Sequence, residues 1–287
     1  MNGLVFHVVS GQAFFTGIAV VISAIVGTER NQRFARHAAG ISIFLGIILV
    51  VASSTAIPYW IYAVSIVSMI AWIISRFANR WKRWAPAVAV GAWMMAAVAE
   101  IPFHISPHMK QATSRSITVI GDSVTAGIDG DESSERWPSL LARQHALDVH
   151  DISHIGETAG SALKRIRGQN IDSPVVLLEI GGNDILGSTT SSQFATDLDA
   201  LLDAVSSDPS RQVIMFELPI PPLYHEYGRI QRTLARKHHV ILIPKRVFLS
   251  ILAGSESTLD SIHLSQAGHH RMTETVWSII ESAFPAH

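Results

Sequence analysis

The amino-acid sequence predicts two parts of different class: an all-α transmembrane region of about four helices, then an α/β domain built on a parallel sheet. Two observations carry this expectation. Hydrophobic residues make up 48% of the 287-residue chain and charged residues only 16%, and the apolar excess is concentrated in roughly the first hundred residues. From Ser116 onward, short β-rich runs alternate with segments of helical periodicity. Such alternation implies parallel strands with helices on both faces of the sheet.

The apolar half contains four segments, at about Gly3 to Gly27, Ala38 to Ile57, Tyr59 to Ile74 and Ala85 to Ile101. A bilayer-spanning helix needs roughly 20 apolar residues, with about 17–25 tolerated. The first two qualify, and the third and fourth are near the lower limit. No polar face recurs at helical spacing, which disfavours buried helices of a soluble core. The start MNGLVFHVVS has no basic n-region and its apolar run exceeds a usual signal-peptide core, so a retained anchor is expected. Arg30, Arg33 and Arg36 lie between the first two segments, and Arg76, Arg80, Lys82 and Arg83 between the last two. The link around Ser53 to Pro58 has no Lys or Arg. The positive-inside bias then places both termini and the α/β domain outside the cytoplasm, in a multi-pass cell-membrane protein, with Trp81 and Trp84 at the interface. Lys110 and Arg115 weigh mildly the other way. The linker Pro102 to Ser116 is short and polar, and the expected division is 1–108 transmembrane and 109–287 α/β. His104 and His108 have a chelating spacing only on a helix, and Pro107 argues against one.

The expected strands are Ile117–Ile120, Asp148–Ile152, Val175–Ile180, Val213–Glu217 and Val240–Ile243. Helical patterns fall in WPSLLARQHAL, TAGSALKRIRG, SSQFATDLDALLDAV, YGRIQRTLARKHH and QAGHHRMTETVWSIIESAF. Ligands of such sheets bind at the carboxyl ends of the strands. GDS, Gly121 to Ser123, follows the first strand; HIGETAG, His154 to Gly160, the second; EIGGND, Glu179 to Asp184, the third. DSIH, Asp260 to His263, follows the fifth and precedes the last helix. All four therefore converge on one rim.

A serine hydroxyl is a weak nucleophile until a base takes its proton. Histidine suits that work once an acceptor fixes its ring and tautomer. Asp260 and His263 are three residues apart, close enough to meet locally and leave the other imidazole nitrogen for Ser123. An oxyanion formed by attack needs preorganised donors. The backbone N–H groups of Ser123 and Gly156 and the carboxamide of Asn183 can supply them. Each motif alone is weak; their order and placement give them force. Asp122 reads as a turn group, Glu157 and Asp184 as helix caps, and the loop Pro219 to Tyr227 as a rim of the site.

These four blocks, GDSVTAG, GETAG, GGND and DSIH in that order, resemble the SGNH/GDSL hydrolase family over about Ser116 to Phe284. The resemblance implies a three-layer, flavodoxin-like parallel sheet. It also implies Ser123 as nucleophile, His263 as base, Asp260 as its orienter, and Ser123, Gly156 and Asn183 as the oxyanion hole. VVLLEIGGNDILG is similar to the thioesterase/lysophospholipase branch. Asp151 stands where many relatives carry Asn, and Ser261 where Gly is usual. The implied activity is a membrane-anchored serine esterase acting on a lipid or envelope-glycan ester or thioester. An O-acyltransferase using the same residues, or a non-catalytic membrane scaffold, are the alternatives. No cofactor or metal is expected; Cys is absent, so thiolate sites and disulfides are excluded. His263, His269 and His270 as a zinc set is disfavoured because one helix accounts for the last two. Lys and Arg total 22 against 23 Asp and Glu, which gives no basic surface for nucleic acid. The oligomeric state is left open.

Overall fold

The structure is a computed structural model that describes residues 2–28, 33–77, 81–128, 135–260 and 262–284. Arg30, Arg80 and Ser261, and the side chains of Arg33 and Arg36, lie outside the described residues. The chain forms two compact units, one of Gly3–His104 with Ile220–His225, the other chiefly of Ile105–Pro219 with Glu226–His287.

In the first unit every apolar segment is helical: α1 (Gly3–Val9), α2 (Gln12–Thr28), α3 (Arg33–Ala52), α4 (Tyr59–Ser75) and α5 (Ala85–Glu100), which ends in a 3₁₀ turn, Ile101–His104. The first segment is not one straight span. α1 and α2 meet at 85° across Gly11, whose φ of +86° is open to a residue without a Cβ. Among the described residues one helix, Ala85–His104, is by itself long and apolar enough to cross a membrane; α1 and α2 make a second if they act as one broken span.

Small residues bring the helices of this unit together. A Cβ on Gly17 would stand 2.5 Å from the Gly46 carbonyl oxygen, so α2 and α3 meet backbone to backbone, as small-residue interfaces in apolar surroundings do. α5 buries Ala85, Ala89, Ala92 and Ala96. Phe14, Ile18, Ile25, Trp72 and Trp93 form the core of the unit, while other large apolar side chains face outward, including Ile41, Phe44 and Leu45 of α3 and Ile66, Val67, Ile70 and Ile74 of α4. Monomers in water rarely expose contiguous apolar surface of this breadth. The link Ser53–Thr55 is buried, so its polar groups need partners. Ser53 Oγ bonds Thr55 Oγ1 at 3.0 Å, the Ile220 N–H donates to Ser54 Oγ at 2.9 Å, and His225 Nε2 donates to the Ser53 carbonyl at 2.8 Å. Ile220–His225, read from the sequence as a rim loop, thus groups with the helical unit.

The second unit is an α/β sheet of five parallel strands: β1 (Ser116–Gly121), β2 (Asp148–Asp151), β3 (Val175–Glu179), β4 (Gln212–Phe216) and β5 (Ile241–Ile243), in the order β2-β1-β3-β4-β5. This is the flavodoxin-like order, whose switch point lies between β1 and β3. The register sets Gly121 beside Glu179 at the carboxyl end of that pair. The helices are α6 (Ser123–Ala126), α7 (Trp137–His145), α8 (Ala159–Ile166), α9 (Gly182–Leu186), α10 (Ser191–Val205), α11 (His225–Lys237), α12 (Lys245–Leu252) and α13 (Gln266–Ile280), with a closing 3₁₀ turn, Glu281–Ala283. Strand alternation sends Ile117, Val119, Val175, Leu177, Ile214 and Phe216 to one face, where they join a core with Trp137 and Leu141 of α7, Phe248 of α12 and Met272 and Val276 of α13. The opposite residues Val176, Leu178, Val213 and Met215 are equally buried, and α10 carries the buried stripe Phe194, Leu198, Leu201, Leu202 and Val205. α12 was not expected: Lys245–Leu252 holds only two turns, too few for its periodicity to stand out.

Candidate active site

β1 delivers the chain to the rim and Gly121 lets it turn. A Cβ there would sit 2.5 Å from Thr125 Oγ1, so the side chain of Thr125 occupies that space. Asp122 has extended φ and ψ and caps α6, accepting from the Val124 N–H at 2.9 Å. Ser123 is the first residue of α6 and is 8% exposed. Its Oγ lies 3.1 Å from Nε2 of His263, whose Nδ1 lies 2.6 Å from Asp260 Oδ2. A carboxylate only accepts, so Nδ1 carries the proton and Nε2 presents its lone pair to the serine.

The loop bearing Asp260 and His263 is braced from within. Thr258 bridges Leu264, the Leu259 N–H donates to the His263 carbonyl at 2.8 Å, and the Ser265 N–H to the Ser257 carbonyl at 2.9 Å. Asp260 Oδ1 accepts the backbone N–H of His263 at 2.9 Å and of Ile262 at 3.1 Å. The His263 backbone bond, then its side chain, then the Ile262 backbone bond hold the Asp260 carboxyl down at about 2, from an ordinary 3.8.

Gly156 lies in the loop after β2, with φ of +74°. That loop is tied to β1 by the His154 N–H, which donates to the Gly121 carbonyl at 3.0 Å. Among the described residues neither the Ser123 nor the Gly156 N–H meets an acceptor. Asn183, on α9, brings its amide to the same place. Nδ2 donates to Asp122 Oδ2 and to the Glu157 carbonyl, each at 3.1 Å. The Ser123–His263–Asp260 line and the Asn183–Asp122 bond thus meet at one turn, where Asp122 precedes Ser123 in the chain.

The acidic residues read as caps divide. Asp184 caps α8 rather than its own helix, its Oδ2 accepting the Ala159 N–H at 2.9 Å. Glu157 instead pairs with Arg165 at 2.5 Å. Asp151 accepts the Ser153 N–H at 2.9 Å, a local turn bond. His269 is buried, accepts the Trp137 N–H at 3.4 Å, and is held down at about 4, first by burial, then by Arg136 and His270. Among the described residues no group of three His, Cys, Asp or Glu is arranged to hold a metal. Glu179, given no role from sequence, is buried at the end of β3 with its Oε2 accepting from Thr125 Oγ1 at 3.0 Å. The signal available was an acid inside the apolar run VVLLEI.

The family model for GDSL-like Lipase/Acylhydrolase proteins matches residues 119–271, more than half of the chain. Among solved structures the chain is similar to the psychrotrophic esterase EstA from Pseudoalteromonas sp., at 23% identity and a TM-score of 0.50, over 58% of this chain and 97% of that one. It is also similar to TesA, at 24% identity and a TM-score of 0.49, over 58% and 98%. A lipase/acylhydrolase from Enterococcus faecalis matches at 21% identity and a TM-score of 0.48, over 58% and 96%. At these identities the first likeness speaks to the fold of the α/β unit, and the other two add no argument. No curated protein matches the chain.

Proposed function

Because the chain belongs to the GDSL-like lipase/acylhydrolase family and is a serine hydrolase acting on esters, we propose that Ser123 is its nucleophile, His263 its general base and Asp260 the group that orients His263. The single observation that carries this reading is the bonded line from Ser123 Oγ to His263 Nε2 at 3.1 Å and on from Nδ1 to Asp260 at 2.6 Å. Ser123 Oγ attacks the ester carbonyl carbon as its proton passes to Nε2. The carbonyl oxygen becomes an oxyanion and receives the N–H groups of Ser123 and Gly156. Asn183 joins them by turning the N–H now given to the Glu157 carbonyl. Each such donor is worth about 10²–10³ in rate. The C–O bond to the leaving group then breaks, and His263 returns the proton to the departing alcohol. Water, deprotonated by the same imidazole, attacks the acyl-enzyme and frees the acid and Ser123.

The same proposal covers location and substrate. Residues 1–108 form a membrane domain of about four spans, and residues 109–287 a hydrolase domain on the extracytoplasmic side. The substrate is an ester or thioester of a lipid or of an envelope glycan, in the manner of the thioesterase/lysophospholipase branch. The outward apolar faces of α3 and α4 support the membrane domain. Exposed Ile128, Ile155, Leu186, Leu259 and Ile262 lie in or beside the four motif blocks and favour an acyl chain over a bare sugar ester. A fluorophosphonate probe is expected to label the wild-type chain and not Ser123→Ala. Equal labelling of both refutes the role of Ser123. Protease treatment of spheroplasts, whose outer envelope has been removed, is expected to digest the 109–287 portion, and full protection there would reverse the sidedness.

A further inference from the structure

We propose that Glu179 is a positioning residue of the oxyanion cradle: through Asp122 it fixes the carboxamide of Asn183 and the turn that presents Ser123. The inference rests on the roles proposed above for Ser123 and Asn183 and adds the residue that holds them. β3 ends on Glu179 directly beside Gly121 of β1, so its side chain emerges beneath the nucleophile's turn at the sheet's switch point. Glu179 Oε2 accepts the Thr125 hydroxyl at 3.0 Å and the Asp122 N–H at 3.3 Å. The Asp122 N–H also reaches the Glu179 carbonyl at 3.1 Å. The N-cap residue of the four-residue helix α6 and its third residue are thus tied to one carboxyl group.

The pair also meets through its side chains. Two carboxylates this close and this buried cannot both be ionised. Burial, then the charge of Asp122, pushes the Glu179 carboxyl well above its ordinary value, and burial also raises that of Asp122, so the pair is suited to share one proton with Glu179 as donor. Asp122 remains the acceptor, with Oδ1 on the Val124 N–H and Oδ2 on Asn183 Nδ2. That last bond decides which end of the Asn183 amide faces which way, and an amide turned end for end would offer the oxyanion an oxygen. Gly182 keeps the approach open, because a Cβ there would stand 3.2 Å from Asp122 Oδ2. Neither Glu179 nor Asp122 needs to touch substrate. A network with every member satisfied gains rigidity, and losing one member leaves a buried group unpaired.

The test uses the full-length chain in detergent micelles and hydrolysis of p-nitrophenyl butyrate. Glu179→Ala is expected to lower kcat about 10–100-fold with KM within about twofold, since only transition-state stabilisation is touched. Glu179→Gln keeps a donor for Asp122 and an acceptor for Thr125, and is expected to retain more than about a third of kcat. In an Asn183→Ala background, Glu179→Ala is expected to cost less than about threefold more, because residues acting through one group are not additive. Glu179→Asp, too short to reach Asp122, takes the place of Glu179→Ala should the latter fail to accumulate folded. A Gln variant as impaired as Ala, a loss carried by KM, or full multiplication with Asn183→Ala overturns the inference. Ser123→Ala separates the two levels. If it is fully active, the proposed function fails; if it is inactive while Glu179→Ala behaves as wild type, only the role of Glu179 falls.

Discussion

Replacing Gly268 by alanine tests how tightly the Asp260–His263 loop is held. Gly268 is the third residue of α13, and in an unhindered helix alanine there would gain about 1 kcal/mol. Here the new Cβ would lie 2.0 Å from the Ser257 carbonyl oxygen and 3.1 Å from Leu264 Cβ. The first atom is backbone and cannot swing aside. Reaching even 3.0 Å, the closest separation real Cβ atoms show, requires a shift of about 1 Å. Overpacking of this kind costs about 1–3 kcal/mol, more than the propensity gain, so the balance is destabilising. The displaced carbonyl is the acceptor of the Ser265 N–H at 2.9 Å, and Asp260 and His263 lie between those two residues. A misplacement of about 1 Å in reacting groups can cost on the order of 100-fold in rate. We therefore expect Gly268→Ala to lose about 10–100-fold in kcat/KM on p-nitrophenyl butyrate. It should also lose up to about 2 kcal/mol in urea unfolding followed by near-UV circular dichroism. A variant that is both fully active and more stable than wild type would show that the loop does not depend on this contact.

Asp260→Asn preserves shape but removes the charge and the obligatory acceptor facing Nδ1. We expect kcat to fall by roughly 10³–10⁴-fold, measured on the same ester, with fluorophosphonate labelling slowed in parallel. The Asp260 carboxyl is depressed to about 2 in the folded chain, so its contribution to stability is complete above its ordinary 3.8 and disappears as pH falls through about 2. Carboxyl-carbon NMR of the wild-type protein should show that titration, and the Asn variant should lack it; a resonance titrating near 4 would contradict the bonding of the loop. Gly17→Ile would place its Cβ 2.5 Å from the Gly46 carbonyl and force α2 from α3. Limited proteolysis in micelles should then cleave the helical unit faster than in wild type, and an unchanged digestion pattern would show that the two backbones need not touch.

The rim of the sheet was legible because its signals are local. Short apolar runs followed by Gly-Asp-Ser and Gly-Gly-Asn-Asp mark strand ends and turns, parallel topology forces such ends onto one edge, and Asp-Ser-Ile-His stands just before the last helix. The periodicity of SSQFATDLDALLDAV matches α10 residue for residue, since five apolar positions at helical spacing leave no competing pattern. Other features were not legible. α12 is too short to display a period, and the 85° break after α1 hangs on a single glycine in an apolar run. Hydropathy also treats every apolar residue alike, so it reported four segments of similar character where one helix among the described residues has the length to span alone.

What the sequence by itself determined is the set of chemical groups and the side of the sheet on which they gather, because strand ends and turn residues are written in neighbouring positions. Only the tertiary structure decided how those groups are held: Glu179 under Asp122, Asp122 on Asn183, and Ser257 against Gly268. These are meetings of residues far apart in the chain, and their bonds depend on strand register and on the buried environment. A carboxylic acid in an apolar strand acquires its meaning from the neighbour that register places beside it.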